Sequence, residues 1–121
     1  MTAEPSSPPL DIDRALMLAA DDPELFADLG QEFLSRVPEH TAELRRALDV
    51  GDAEATWHVA HSLKGALASL AAVTACQQAA ELEGLGRAGR LDAARDRLAG
   101  LERELQRVSD FLAVPGWIRT V

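Results

Sequence analysis

The chain is short of cysteine, lysine, aromatic residues and positive charge, and each shortage excludes something. Cys76 is the only cysteine, so no intrachain disulfide can form, and a reducing, cytoplasmic setting is expected. Tyrosine is absent, and three phenylalanines and two tryptophans supply all the aromatic side chains. No stretch alternates apolar and polar residues with period two, so strands are not expected. The formal net charge of −8 at pH 7 argues against nucleic acid or an anionic membrane as the main partner. No apolar run approaches the roughly 20 residues that span a bilayer. The first ten residues lack the charged and apolar regions of a signal peptide.

What is present is leucine and alanine at helical spacing. A chain of 121 residues suits one domain, which buries roughly 65% of its unfolded surface without metal or disulfide staples. Residues 1–9, with Pro5, Pro8 and Pro9, are expected to form a tail that cannot order itself, and 115–121 to form a C-terminal tail. The bundle between them spans 10–114. It opens with a short helix from about Asp11 to Ala20, whose apolar side is Leu10, Ile12, Leu16 and Ala19. Asp22-Pro23-Glu24 then starts a second helix: Asp caps it, Pro suits the first turn, and Glu favours the positive end. That helix carries Phe26, Leu29, Phe33, Val37, Leu44 and Leu48 and is expected to bend, but not end, at Pro38.

Gly51-Asp52 closes the second helix and caps a third, which runs to about Leu70. A break near Ala71 to Val73 leads to a fourth helix, from Val73 to about Leu85, with Ala75, Ala79 and Leu82 inward. Gly84, Gly86 and Gly89 are expected to dissolve it. Leu91, Ala94, Leu98, Leu101, Leu105, Val108 and Leu112 mark the last helix, and Pro115-Gly116 stops it. The expected fold is all-α, an antiparallel four-helix bundle with a short additional N-terminal helix. Such a bundle closes its own core, so a monomer is expected.

The third helix holds the segment Ala60-His61-Ser62-Leu63-Lys64-Gly65. Ala60, Leu63, Leu67 and Leu70 form its apolar stripe. Positions three and four apart share a helix face, so Lys64, the only lysine in the chain, and Gly65 flank His61. Continuing from His61 by helical steps gives Gly65, Ala68 and Ala72, a path of small residues beside an imidazole. A neutral imidazole, with an ordinary pKa of about 6.5, is a competent nucleophile at cell pH.

Taken in order, Gly51-Asp52, Ala60-His61-Ser62-Leu63-Lys64-Gly65, Glu81-Leu82-Glu83 and Gly86-Arg87-Ala88-Gly89 resemble the histidine-containing phosphotransfer (HPt) domains of bacterial phosphorelays. The resemblance runs from about Asp11 to Leu112, and Pro38 inside the long helix adds to it. Two departures stand out. Ala71 occupies a position where the family usually has glycine, and Ala66 and Leu67 replace small polar residues. Both bear on local turn geometry more than on chemistry.

The resemblance implies a carrier that shuttles a phosphoryl group between receiver-domain aspartates on His61. Lys64 would neutralise the phosphoryl oxygens. Gly65, with Ala68, Ala72 and His58 around it, would form the surface on which the receiver docks. The implied partners are receiver domains of response regulators or a hybrid histidine kinase. No cofactor is expected on this chain, since Mg²⁺ belongs to the receiver, and with no nucleotide loop or kinase domain no autokinase activity is expected. The competing reading is a helical module that docks a receiver or kinase without being phosphorylated.

Glu83 has two readings. If the third and fourth helices turn near Ala72, Glu83 lies level with His61. It would then accept a hydrogen bond from Nδ1 and leave Nε2 free to attack. Alternatively it is a solvated glutamate at the edge of the helix face. Glu54, His58 and His61 make a one-turn ladder that would suit a metal ion, but the matching ligands from other helices are missing, and no metal is expected. Gly84 to Gly89 spell G-x-G-x-x-G after a helix rather than a strand, which rules out a dinucleotide loop. Cys76 reads as a packed small hydrophobe, and His40 as a polar-face residue of the second helix.

Overall fold

The computed structural model describes residues 8–114; apart from Pro8 and Pro9, the two expected tails lie outside the described residues. Five helices follow one another: α1 (Ile12–Leu18), α2 (Pro23–Val50), α3 (Ala53–Ser69), α4 (Val73–Arg87) and α5 (Leu91–Ala113). Among the described residues there is no strand, and no helix is long and apolar enough to cross a membrane. The short connections from α2 onward give the antiparallel bundle that the apolar spacing predicts, with α1 added at the front.

Aspartates head the first three helices. Asp11 accepts the amide of Arg14 at 3.2 Å, Asp22 those of Glu24 and Leu25 at 3.0 and 3.3 Å, and Asp52 that of Ala55 at 3.0 Å. Each satisfies amides that a helix start leaves without a partner. The C-terminus of α2 is closed by Gly51 in the left-handed region (φ +74) and by Arg95, which reaches from α5 to the Leu48 carbonyl at 2.7 and 3.1 Å. A cation there suits the negative helix end. α2 is one continuous helix through Pro38.

α1 is shorter than its apolar pattern suggests. It stops at Leu18, because Ala20 and Asp21 both adopt φ +59 and turn the chain toward the Asp22 cap. The larger difference concerns α4, which runs through Gly84 and Gly86 to Arg87 rather than dissolving near Leu85. Gly89, at φ +73, ends it alone. Glycine weakens a helix only modestly, and at Gly86 α4 lies close against α3. A Cβ there would stand 3.0 Å from the Trp57 amide nitrogen and Cβ and 3.2 Å from Thr56 Cγ2.

α3 and α4 form the most intimate pair of the bundle. Ala60, Leu63 and Leu67 of α3 and Ala75, Ala79 and Leu82 of α4 are fully buried against each other and against Leu101 and Val108 of α5. Their hairpin turns at Leu70-Ala71-Ala72. Ala71 takes the left-handed conformation (φ +54) in which glycine is usual. Amides of Ala71 and Ala72 bond back to Ala68 and Leu67 at 3.1 and 3.0 Å, and Asp11 donates its amide to the Ala71 carbonyl at 3.0 Å. Alanine is held there by a closed set of hydrogen bonds, despite the steric cost of left-handed backbone.

Candidate functional site

The apolar stripe of α3 faces inward, so its opposite side faces solvent and carries His61. The His61 side chain is 58% exposed, and its Nδ1 lies 3.1 Å from Glu83 Oε2 on α4. The α3–α4 hairpin brings these two residues level. Glu83 is therefore the imidazole's partner rather than a solvated edge residue: its side chain is only 9% exposed. An ionised carboxylate only accepts, so Nδ1 carries the proton and donates it. The other ring nitrogen, Nε2, takes no hydrogen bond from the described residues.

Glu83 gathers three donors. Lys64 Nζ stands 2.7 Å from Oε1, while His61 Nδ1 and the Nε and Nη2 of Arg87, both at 3.2 Å, approach Oε2. The Lys64 hydrogen bond holds the Glu83 carboxyl down at about 2, against the upward push of burial and with help from His61 and Arg87. Glu83 is thus firmly anionic at neutral pH. Lys64, expected to serve a phosphoryl group, points in this structure at Glu83.

Gly65 and Ala68 are exposed beside His61, as the helical steps predict. A Cβ at Gly65 would meet nothing within 4 Å, so packing among the described residues does not require glycine there. Ala72 is a correction: it is fully buried and cannot belong to a docking face. The steps from His61 assumed an unbroken helix, whereas α3 ends at Ser69 and the left-handed Ala71 resets the phase. His58 is exposed one turn before His61, and its Nε2 lies 3.9 Å from Glu54. The supposed metal ladder is split, since His61 turns Nδ1 to Glu83. No group of three or more His, Cys, Asp or Glu among the described residues is placed to hold a metal ion.

Two neighbours escaped sequence reasoning. Arg87 follows Glu83 by four residues, a spacing that favours an ion pair on one helix and could have pointed to it. Its guanidinium also lies over the Trp57 ring, 3.9 Å from the centroid. The Trp57 ring in turn stacks on that of His58, with centroids 3.9 Å apart and planes inclined at 24°. Nothing in the spacing of Trp57 and Arg87, 30 positions apart on different helices, announces that contact. Cys76 is half-buried, its Sγ 3.6 Å from the Lys64 carbonyl, and His40 is half-buried on α2.

The arrangement offers a nucleophilic nitrogen to solvent, fixes the proton on its other side, and sets a cation one turn away. Comparison with known proteins points the same way. A family model described as the Hpt domain matches residues 28–111. Among solved structures, histidine-containing phosphotransfer protein B from Pseudomonas aeruginosa PAO1 is 32% identical with a TM-score of 0.80, over 88% of this chain and 93% of that one. The HPT domain of a sensor hybrid histidine kinase from Shewanella shares the fold, with a TM-score of 0.78 at 21% identity over 86% of this chain and 90% of that one. A search of curated proteins returned no match. The chain belongs to the Hpt domain family, the histidine phosphotransfer domains of phosphorelays.

Proposed function

We propose that His61 carries the phosphoryl group and that Nε2 is the attacking atom. The observation that supports this most is the pairing of an exposed ring with a committed Nδ1: Glu83 holds the Nδ1 proton at 3.1 Å, which leaves the Nε2 lone pair pointing outward. That lone pair attacks the phosphorus of a receiver's aspartyl phosphate. The N–P bond forms as the P–O bond to the aspartate breaks, and the aspartate leaves as a carboxylate with the bonding electrons. The ring keeps its Nδ1 proton and becomes cationic, and the Glu83 carboxylate faces that charge. The reverse step loads a second receiver.

Lys64 answers the negative charge of the phosphoryl oxygens, about −1.5 to −2 by analogy with other phosphorylated side chains. Its Nζ needs only to share or exchange the Glu83 contact for one with the incoming group. Gly65 and Ala68 let the receiver's backbone come close. The Mg²⁺ that neutralises the group from the far side is expected in the receiver's acidic pocket, not on this chain. Phosphoryl groups reach His61 from a phosphorylated partner rather than directly from ATP, a reading supported by Gly84 and Gly86 lying inside α4 instead of in a phosphate-binding loop. The partners are receiver domains or a hybrid kinase, met by a cytoplasmic monomer in transient complexes of modest area.

Incubation with a phosphorylated receiver tests this. The wild-type chain should take up an acid-labile, alkali-stable label, and His61→Gln should take up none. Label retained in His61→Gln places the acceptor elsewhere, and binding without label favours the pure docking module.

A further inference from the structure

Phosphotransfer as described above gives no task to the tryptophan on the rim of the site. Trp57 lies one turn before His61 on α3, and its ring supports the Arg87 guanidinium at 3.9 Å. Arg87 turns both Nε and Nη2 to Glu83 Oε2 at 3.2 Å. The pair is built in, not incidental. Gly86, the residue before Arg87, has no side chain at the point where a Cβ would lie 3.0 Å from the Trp57 backbone nitrogen, so α4 comes close enough to lay Arg87 on the ring. His58 stacks on Trp57 at 3.9 Å and limits its movement.

The need for such a pair follows from the charges. Glu83 is nearly buried and is compensated by Lys64 and Arg87, with His61 as its third donor. Whatever share of the Lys64 ammonium goes to a phosphoryl group is withdrawn from Glu83, just as a second negative group arrives nearby. Arg87 is then the one permanent cation still paired with this carboxylate among the described residues, beside the charge that the ring gains only on phosphorylation; from α5, Arg97 is engaged by Glu81 at 2.9 Å. Arg87 is itself 53% exposed, and a long exposed side chain paired only by charge spends much of its time in water. An aromatic face beneath the guanidinium reduces that freedom.

We propose that Trp57 is a positioning residue whose indole holds Arg87 against Glu83, so that Glu83 keeps its grip on the His61 Nδ1 proton when Lys64 turns to the phosphoryl group. This rests on the reading of His61 as the phosphoryl carrier, but its test does not. NMR on the unphosphorylated protein follows the Glu83 carboxyl carbon and the His61 ring nitrogens through a pH titration. Lys64→Ala serves as the background, because it imitates the departure of the ammonium. There, Trp57→Leu, which keeps bulk but loses the aromatic face, should raise the Glu83 midpoint by about half a pH unit or more and reduce the Nδ1–H tautomer. Arg87→Leu should do the same, and Trp57→Phe should restore most of the Lys64→Ala behaviour. A Glu83 midpoint and tautomer unchanged by Trp57→Leu or by Arg87→Leu, or moved equally by Trp57→Leu and Trp57→Phe, would overturn the proposal. Failure of His61 to take label would instead remove the phosphotransfer reading and leave these shifts standing.

Discussion

His61 Nδ1 and Glu83 Oε2 lie 3.1 Å apart on facing helices, although 22 positions separate them in the chain. The contact divides the imidazole into a committed side and a free side. It also ties the reactive ring to a nearly buried carboxylate, so the ring's orientation depends on the packing of α3 against α4.

Glu83 should leave a signature in acid stability. Its carboxyl is held at about 2 when folded, against an ordinary 4.5, so protons bind the unfolded chain more tightly. The stabilisation is complete above about pH 4.5 and fades as pH falls toward 2. Glu83→Gln lacks this dependence. Urea unfolding at a series of pH values should show the wild type's advantage over Glu83→Gln narrowing from pH 5 to pH 2. A constant difference would mean that Glu83 is not held as the structure indicates. Glu83→Ala, which also loses the acceptor for Nδ1, should slow phosphoryl uptake by about tenfold, the worth of one charge-assisted hydrogen bond.

Lys64→Ala should lower the rate of phosphoryl uptake by roughly tenfold or more while changing stability by no more than about 1 kcal/mol, because the lysine is partly exposed and Arg87 remains on Glu83. Stopped-flow transfer kinetics and far-UV circular dichroism separate the two. Loss of helicity would show that the lysine is structural.

Gly65 separates docking from folding. A methyl there meets nothing within the described residues, so Gly65→Ala should stabilise α3 by about 0.5–1 kcal/mol and yet slow transfer from the receiver. Gly100→Ala, in the middle of α5 with only ordinary contacts around the added methyl, should bring a similar gain without slowing transfer. Equal kinetics in the two variants would remove Gly65 from the docking surface.

Gly86→Ala should behave oppositely. Its Cβ would press on the Trp57 backbone at 3.0 Å, and overpacking against backbone costs about 1–3 kcal/mol. Thermal melts read this directly; an unchanged melting temperature would show that α3 and α4 separate there without cost.

The helices were legible because Leu63, Leu67, Leu82, Leu101 and Val108 repeat at helical spacing and are all buried, and because Asp22 and Asp52 announce two helix starts. His61 and Lys64 could be placed on one face from their spacing alone. The phase beyond Ser69 is legible only in part: the break near Ala71 shows in the sequence, but the left-handed turn of an alanine there does not, and helical steps carried past it misplace Ala72. Gly84 and Gly86 read as helix breakers in isolation; the packing of α4 on Thr56 and Trp57 outweighs their propensity. The direction of Lys64 toward Glu83 and the seat of Arg87 on Trp57 depend on side-chain geometry across two helices, which residue spacing does not encode.

The most direct test of the central claim is the position of phosphorus on the ring. The chain, labelled with ¹⁵N at histidine and phosphorylated by a receiver, should show phosphorus coupled to Nε2 of His61 with the Nδ1 proton still in place. Phosphorus on Nδ1, on His40 or His58, or on no histidine at all would contradict the account.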